Sequence, residues 1–460
     1  MKKIRIIGGG LAGPEAALQA AAQGCTVELY EMRPHRSTEA HQTSDFAELV
    51  CSNSLKSESE NSAPWLLKQE MRFAGSFLLA DADATAVPAG HALAVDRVAF
   101  SARVAQRLAA SQDITIHREE VTDLNPADAD LTILASGPLT SAPLTAALQA
   151  VTGAEHLAFY DSISPIVDSS TIDMDKVYMA ARWDKGSADY INCPFTKEEY
   201  DRFIDALLHA EHVESKEWEQ LQYFEGCLPI EETARRGRDT LRFGPMKPAG
   251  LTNPKTGRWP YACVQLRSEN LRADSYNLVG FQNHLKFGEQ SRILRMIPGL
   301  EHATFLRYGQ IHRNTYIHAP SLLTETLQLR ARPDILIAGQ LSGVEGYTES
   351  IASGMLAGIF AAELLSGHTP QPAPRLSAHG SLMHYITHSD SKKFQPANIT
   401  FDLLPPLEDD LRKQIRDKKE RHRIQCERAL SAWSQWRSCN PASTLAGSQN
   451  NVVAPMLSLG

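Results

Sequence analysis

The chain has 460 residues, 43% of them hydrophobic and 22% charged. These proportions exclude wholesale disorder, and the length exceeds what one hydrophobic core usually organises, so at least two domains are expected. A formal net charge of −8 means that any nucleic-acid binding requires a local basic patch. The 7 cysteines form no CxxC pair. No signal peptide and no run of about 20 apolar residues is evident, so we expect a cytoplasmic protein with reduced thiols, no membrane segment and no metal site.

The first 31 residues predict a βαβ unit. Residues 3–7 are typical of a buried strand, Pro14 to Gln23 of an alanine-rich helix, and Thr26 to Tyr30 of a second strand. A glycine-rich turn between the first strand and the helix lets the backbone approach a pyrophosphate at the positive end of the helix dipole. The turn consists of Gly8, Gly9, Gly10, Leu11, Ala12 and Gly13.

An acidic residue, Glu31, ends the second strand. A carboxylate at this place accepts ribose hydroxyls and disfavours the phosphorylated ribose of NADP. FAD and NAD therefore remain as candidates for the ligand of the turn.

A late glycine site favours FAD. The apolar run Ile335 to Ala338 leads into Gly339 and Gly343, and a small-residue helix follows from Tyr347. This arrangement resembles the late motif of two-dinucleotide-fold flavoproteins, where a helix N-terminus stabilises negative charge on the reduced flavin.

The βαβ alternation is lost between about residue 185 and residue 320 and returns afterwards. We therefore predict an α/β fold with a two-dinucleotide-fold, Rossmann-like FAD-binding domain, interrupted by an inserted α+β domain and followed by C-terminal helices. The predicted boundaries are 1–185 and 321–437 for the FAD-binding domain with the C-terminal helices, 186–320 for the inserted substrate or tRNA domain, and 438–460 for a flexible tail.

Two cysteines lie in polar or glycine-rich segments, where a thiol gains little from packing. Cys51 belongs to the long polar stretch 35–61, and Cys227 follows Gly226. On these residues alone, a catalytic role and a buried structural role both stay open.

Four segments together resemble the bacterial TrmFO family of folate- and FAD-dependent tRNA (uracil-5-)-methyltransferases, over residues 1 to about 437. They are Gly8–Ala17, Glu31–Pro34, Cys51–Lys56 and Gly226–Glu232. The resemblance implies FAD, 5,10-methylenetetrahydrofolate as carbon donor, NADH or NADPH as reductant of the flavin, and methylation of uridine 54 in the T-loop of tRNA.

The resemblance also implies that Cys51 and Cys227 are the catalytic pair. Uracil C5 becomes nucleophilic once a thiolate adds at C6, and a base must later remove the C5 proton. We assign Cys227 as the nucleophile and Cys51 as the general base or flavin-side partner, and the reverse assignment stays open.

A basic segment follows the second cysteine motif and predicts an RNA-binding face, although a solvated charge run is the alternative. Its leading arginines are Arg235, Arg236, Arg238 and Arg242, and Asp239 is its lone acid. Aromatic residues, among them Phe243 and Trp259, lie within it or just after it. The charged stretch 412–423 is a second candidate, and an ordinary exposed helix face is an equally good interpretation of it.

Other functional hypotheses remain. A wobble-uridine tRNA-modifying flavoprotein shares the cofactors, a small-molecule FAD oxidoreductase shares the fold, and a non-enzymatic RNA-binding flavoprotein would not need the cysteines. An S-adenosylmethionine enzyme is disfavoured because Gly339 and Gly343 would have no role. His41 and Lys56 are further candidates for the site.

Overall fold

The computed structural model describes residues 2–38, 40–125, 129–153, 157–162, 164–184, 187–213, 228–309, 311–391 and 394–439. The strands are β1 (Lys3–Ile7), β2 (Thr26–Tyr30), β3 (Ser54–Ser57), β4 (Ala86–Val87), β5 (Ala92–Val95), β6 (Ile114–His117), β7 (Leu131–Leu134), β8 (Leu157–Ser162), β9 (Ile166–Asp168), β10 (Tyr178–Ala180), β11 (Tyr190–Phe195), β12 (Ala262–Ser268), β13 (Ser275–Leu278), β14 (Phe305–Arg307), β15 (Ile311–Tyr316) and β16 (Ile335–Ile337). The helices are α1 (Ala12–Ala22), α2 (Ala63–Ala74), α3 (Phe77–Ala84), α4 (Arg97–Ala110), α5 (Ala142–Thr152), α6 (Lys197–Leu208), α7 (Ile230–Arg235), α8 (Thr240–Phe243), α9 (Phe287–Leu294), α10 (Ala319–Leu322), α11 (Tyr347–Leu365), α12 (Ala378–His388), α13 (Asp409–Gln414) and α14 (Lys418–Cys439).

A parallel five-stranded sheet forms the centre of the first domain, in the order β16-β7-β1-β2-β6. Its strands are short apolar runs, and neighbouring residues such as Ile6 and Ile7 are both buried, so the sheet is covered on both faces. The predicted βαβ unit is present, since β1 pairs in parallel with β2 and α1 connects them. The predicted Rossmann-like α/β class is confirmed.

Helix α11 packs directly on α1 through two glycines. A Cβ at Gly354 would lie 2.3 Å from the carbonyl oxygen of Ala12, and one at Gly358 would lie 2.5 Å from that of Ala16. Only residues without side chains allow the two backbones to approach so closely.

Among the described residues, α11 is also the one helix that is long and apolar enough to cross a membrane, a property that the sequence reading did not single out. However, 83% of its most apolar window is buried inside the protein. It is thus the central core helix of this domain.

The inserted domain is built on a six-stranded sheet in the order β10-β11-β12-β13-β9-β14. A second hydrophobic core accompanies it and extends from Val167 to Ala303. The sheet therefore begins at β9, before the expected boundary at residue 186. Strands of three residues, such as β9 and β10, are too short to show a periodicity in sequence. β8 precedes the insertion in the chain and β15 follows it, and these two strands pair with each other.

The C-terminal helices cover the first domain, as predicted. Trp433 of α14 is fully buried, and its Nε1 donates to the carbonyl oxygen of Glu70 on α2 at 2.9 Å. The same indole stacks on His379 of α12 at 4.3 Å between ring centroids. Most of the expected tail, from residue 440 onwards, lies outside the described residues.

The α1–α11 contact predicts a position-specific cost of one methyl group. We expect Gly354→Ala to lower the free energy of unfolding by about 1–3 kcal/mol, because the new Cβ forces the helices apart. Gly288→Ala is the matched control: a Cβ there meets no atom within 4 Å, and alanine favours a helix by up to about 1 kcal/mol. Urea unfolding of both variants measures the difference, and equal stabilities would contradict the proposed close packing.

A buried carboxyl group at the end of α11 predicts a pH dependence. Burial raises the pKa of Glu363 from 4.5 to about 7, although Arg437 opposes the shift. The folded state thus holds this proton more tightly than the unfolded chain, so the stability contribution is present below pH 4.5 and is lost as the pH rises to about 7. We expect Glu363→Gln to be about 1–3 kcal/mol more stable than the parent at pH 8 and equal to it near pH 4.5. Urea unfolding at both pH values checks this, and Glu60→Gln, at an exposed position, is the control.

Candidate active site

One continuous cavity lies where α1 and α11 begin. The glycine-rich turn after β1, the end of β7, and Gly339 after β16 line it from the first domain, and Gln282 lines it from the inserted domain. Ligands of open α/β sheets bind at the carboxyl ends of the strands, which is the position of this cavity.

The glycine-rich turn fits the pyrophosphate of a dinucleotide. Gly8 has φ 116°, and a Cβ there would lie 2.3 Å from the carbonyl oxygen of Ala135. At Gly13 a Cβ would lie 1.9 Å from the carbonyl oxygen of Gly8, so the helix could not begin against the turn. A Cβ at Gly10 would meet no protein atom within 4 Å. The space beside Gly10, at the N-terminus of α1, is therefore available to an anionic group.

Glu31 is buried at the edge of the cavity with its carboxylate already oriented. It accepts hydrogen bonds from the backbone N–H of Gly9 at 2.8 Å and from Nε of Arg33 at 2.9 Å. Burial disfavours its charge, but the hydrogen bonds and charge of Arg33 outweigh this and lower the pKa of Glu31. A carboxylate has lone pairs for about four hydrogen bonds, so acceptor capacity remains for ribose hydroxyls.

The late glycines lie where the sequence predicted them, at the N-terminal end of α11. Gly339, Gly343 and Gly346 have φ of 74°, 94° and 110°, a range that disfavours other residues. The N–H of Gly339 donates to Oγ of Ser353 on α11 at 2.9 Å. Gly339, Gly346 and Ser350 line the cavity, so the positive end of the α11 dipole faces it.

Cys51 lies at the cavity in contact with the first residue of α11. Its Sγ is 3.0 Å from the hydroxyl oxygen of Tyr347, which also accepts the backbone N–H groups of Cys51 at 2.8 Å and of Ser52 at 3.2 Å. With its oxygen accepting two N–H groups, the phenol directs its own hydrogen towards the sulfur. Burial raises the pKa of Tyr347 well above its usual range, so this donor stays protonated. The geometry suits a thiolate at Cys51.

A guanidinium group adds positive charge beside this thiol. Arg97 forms an ion pair with Glu269 and donates to the carbonyl oxygen of Leu49. Burial disfavours its charge, but Glu269 and the ionisable groups of Tyr347 and Cys51 raise the pKa of Arg97. The cation is therefore permanent and favours negative charge on the sulfur.

Asn53 fixes the cysteine loop to the inserted domain. Its amide nitrogen donates to the carbonyl oxygens of Val95 at 3.1 Å and Ser268 at 3.0 Å, and its oxygen accepts from Nε of Arg267 at 3.0 Å. Nδ2 of Asn277 is 3.3 Å from the same oxygen. Asn53 is fully buried, so the position of the loop depends on β12 and β13.

Cys227 lies outside the described residues. The described chain resumes at residue 228, and the backbone N–H of Ile230 donates to the carbonyl oxygen of Gln282 at 2.9 Å. Because Gln282 lines the cavity, the part of the second cysteine motif that follows Cys227 runs beside the site.

Acidic side chains neutralise much of the predicted RNA-binding face. Arg238 pairs with Asp201 at 3.3 Å and Asp205 at 2.5 Å, both on α6, and Arg242 pairs with Asp239 at 3.2 Å. Arg235 pairs with Glu232, and Arg236 is exposed. The sequence segment contains one acid, but the fold brings three others to the same face.

The structure identifies site residues that the sequence did not. Tyr347 was visible only as the start of a helix. Arg97 belonged to no motif, and Asn53 lay in the Cys51–Lys56 segment but had no role assigned to it. Among the candidates left open, His41 lines the cavity, and Nζ of Lys56 pairs with Glu349 at 2.7 Å. Cys51 and Tyr347 are far apart in sequence. The one signal in the sequence was the set of glycines before α11, which indicated that the first turn of this helix faces a ligand.

Comparisons with known proteins agree on one family. The family model for glucose inhibited division protein A matches residues 3–369. A protein of Koribacter versatilis named methylenetetrahydrofolate--tRNA-(uracil-5-)-methyltransferase TrmFO is 66% identical over 94% of this chain and 98% of its own length. The protein of the same name from Enterococcus faecalis is 52% identical over 94% of this chain and 98% of its own. The solved structure of Aquifex aeolicus GidA superposes with a TM-score of 0.68 at 16% identity, over 95% of this chain and 73% of that one, and so shares the fold.

The contact between Tyr347 and Cys51 predicts the reactivity of the thiol. We expect Tyr347→Phe to slow alkylation of Cys51 by iodoacetamide severalfold near neutral pH, because the lost O–H stabilises the thiolate. The variant also leaves two backbone N–H groups without an acceptor, at about 1–3 kcal/mol each. Timed mass spectrometry of the Cys51 peptide measures the rate.

Tyr385→Phe is the matched control, since the hydroxyl of Tyr385 donates to the carbonyl oxygen of Gln395 at 3.1 Å, away from the cysteine. An alkylation rate in Tyr347→Phe equal to that of the control would contradict the assigned role.

Proposed function

Because the chain belongs to the glucose inhibited division protein A family, and within it to the TrmFO methyltransferases, we propose that it forms 5-methyluridine in tRNA. The carbon donor is 5,10-methylenetetrahydrofolate, and FAD, reduced by NADH or NADPH, is the cofactor. The target we propose is uridine 54 of the T-loop. The observation that carries this proposal is a cysteine, Cys51, held by Tyr347 at the mouth of a dinucleotide cavity.

The cavity residues support FAD as the resident cofactor. Gly10 and the N-terminus of α1 would hold the pyrophosphate, Glu31 the ribose, and the first turn of α11 the pyrimidine end of the flavin. When bound, FAD supplies the reducing electrons that bring the one-carbon unit to the methyl level.

The cysteines would carry the chemistry on uracil. We propose that Cys227 adds to C6, which makes C5 nucleophilic, that C5 then bonds to the one-carbon unit, and that Cys51 removes the C5 proton. Loss of that proton restores the C5–C6 double bond and breaks the bond between C6 and the sulfur of Cys227, which leaves as a thiolate. Tyr347 and Arg97 stabilise the Cys51 thiolate before it accepts that proton, and they hold its sulfur in one position. The exchange of roles between the two cysteines is the second assignment compatible with this arrangement.

The basic segment after Cys227 is our proposal for the tRNA contact. Phosphates would displace the carboxylates of Glu232, Asp201, Asp205 and Asp239 from the arginines, and exposed rings would stack on bases. Phe243 is 77% exposed and Trp259 is 49% exposed, which leaves both rings available. Arg236, also exposed, belongs to the same face.

Other assignments have less support. A wobble-uridine enzyme or a small-molecule oxidoreductase would share the cavity, but the relatives that match this chain at 52% to 66% identity over nearly their whole length are named as uracil-5-methyltransferases. A tRNA substrate and reduced cysteines support a cytoplasmic location, which we also propose.

Label transfer tests the function directly. The purified protein is incubated with unmodified tRNA, NADPH and methylenetetrahydrofolate labelled in its methylene carbon, and we expect label in tRNA as 5-methyluridine. Cys51→Ser should reduce the rate by more than about 100-fold, since general bases contribute 10²–10⁴-fold. Cys439→Ser, at an exposed cysteine outside the cavity, is the matched control.

Absence of label from tRNA, or methylation that instead requires S-adenosylmethionine, would refute the activity. Full label transfer by Cys51→Ser would refute only the role of that cysteine.

A further inference from the structure

Two groups of potential metal ligands lie outside the proposed reaction among the described residues. One comprises His212, Glu231 and His284, and the other comprises Glu325, His384 and His388. In the first group, an Arg235 nitrogen lies 2.5 Å from Nε2 of His212. A guanidinium can only donate, so the neutral ring keeps its proton on Nδ1, and a fixed positive charge stands beside the group. That environment disfavours a cation.

In the second group a carboxylate faces both histidines, although the guanidinium of Arg375 also interacts with that carboxylate. His384 and His388 are one turn apart on α12, and their rings stack at 4.3 Å with an interplanar angle of 12°. Glu325 faces both from the segment after α10: its Oε1 is 2.9 Å from Nδ1 of His384 and 3.4 Å from Nδ1 of His388. One carboxylate and two neutral imidazoles give the group a net negative charge.

These separations match those of ligands around one metal ion. Bonds of about 2.0–2.2 Å in a tetrahedron place ligand atoms about 3.3–3.6 Å apart. The two observed nitrogen–oxygen distances are 2.9 Å and 3.4 Å. Metal binding therefore requires Glu325 to move away from His384 by about 0.4–0.7 Å, and the two imidazole rings to turn out of their stack so that each Nδ1 lone pair points at the ion. Spacing of i and i+4 brings two histidines to one helix face, a common arrangement for zinc ligands.

The turn and the helix that carry the three side chains both have a regular hydrogen-bonded backbone. Glu325 belongs to a tight turn in which the backbone N–H of Thr324 donates to the carbonyl oxygen of Gln328 and that of Leu327 to Thr324, both at 3.0 Å. The histidines occupy the last two turns of α12, where the negative end of the helix dipole favours a cation. Both rings remain partly exposed, at 39% and 49%, so water can complete the coordination.

We propose that Glu325, His384 and His388 bind one divalent transition-metal ion of the zinc class. Each imidazole binds through Nδ1 after that nitrogen gives up its proton, and its Nε2–H points to solvent. Nδ1 of His388, which is 2.9 Å from Oγ1 of Thr387, exchanges this hydrogen-bond partner for the metal. The ion links the turn at 324–328 to α12. Sequence had led us to expect no metal site, and this proposal is independent of the methyltransferase activity.

Metal binding by the untagged, chelator-treated full-length protein tests the site. Equilibrium dialysis against Zn²⁺ should give one bound ion per chain, and Co²⁺ in its place should give the visible absorption of a tetrahedral site. Glu325→Gln, His384→Asn and His388→Asn should each weaken binding by more than about 100-fold, because even partners of metal ligands contribute 10–100-fold. His368→Asn, at an exposed histidine outside the group, is the matched control and should bind normally.

Thermal unfolding gives a second readout. Zn²⁺ in excess should raise the melting temperature of the parent and of His368→Asn, since an ion bound only to the folded state stabilises it, and should leave the three site variants unchanged. The proposal is overturned if the parent binds no ion, or if the site variants retain one ion, which would place it elsewhere, such as at His212, Glu231 and His284.

Discussion

The close contact between α1 and α11 is the constraint on which the site depends. Gly354 and Gly358 bring the backbone of α11 against Ala12 and Ala16, closer than any side chain would permit. The contacts of Gly354 with Ala12 and of Gly358 with Ala16 run in the same direction along both helices, so α1 and α11 are parallel and the positive ends of their dipoles point the same way. The first residues of both helices line one cavity. The first residue of α11 is Tyr347, whose hydroxyl group lies within hydrogen-bonding distance of the Cys51 sulfur. A flavin cavity and a reactive thiol are thus positioned by the same packing.

Electrostatics around Cys51 follow from burial. The phenol of Tyr347 stays protonated because burial raises its pKa, and the guanidinium of Arg97 stays charged because it forms an ion pair with Glu269. One group donates a hydrogen bond to the sulfur and the other supplies charge. Both effects favour the thiolate form of Cys51, which supports the catalytic role that we propose for it.

Local patterns predicted the first domain well. Strand β1, the glycine turn, α1 and Glu31 are adjacent in sequence and need no tertiary information. The contacts of Tyr347 with Cys51 and of Asn53 with Arg267 and Ser268 could not be predicted, because each joins segments separated by more than 200 residues. The charge of the arginine face was misjudged for the same reason: Asp201 and Asp205 reach Arg238 from a different helix. The second sheet began earlier than expected, because its first strands are too short to be recognised.

Asn53 restricts how the two domains can move. Asn53 lies two residues after Cys51. Its buried side-chain amide forms hydrogen bonds with Arg267 and Ser268 of the inserted domain and with Val95 of the first domain. A hinge rotation of one domain on the other would break these hydrogen bonds together and displace the thiol from Tyr347. The two domains therefore form a single mechanical unit around the cysteine.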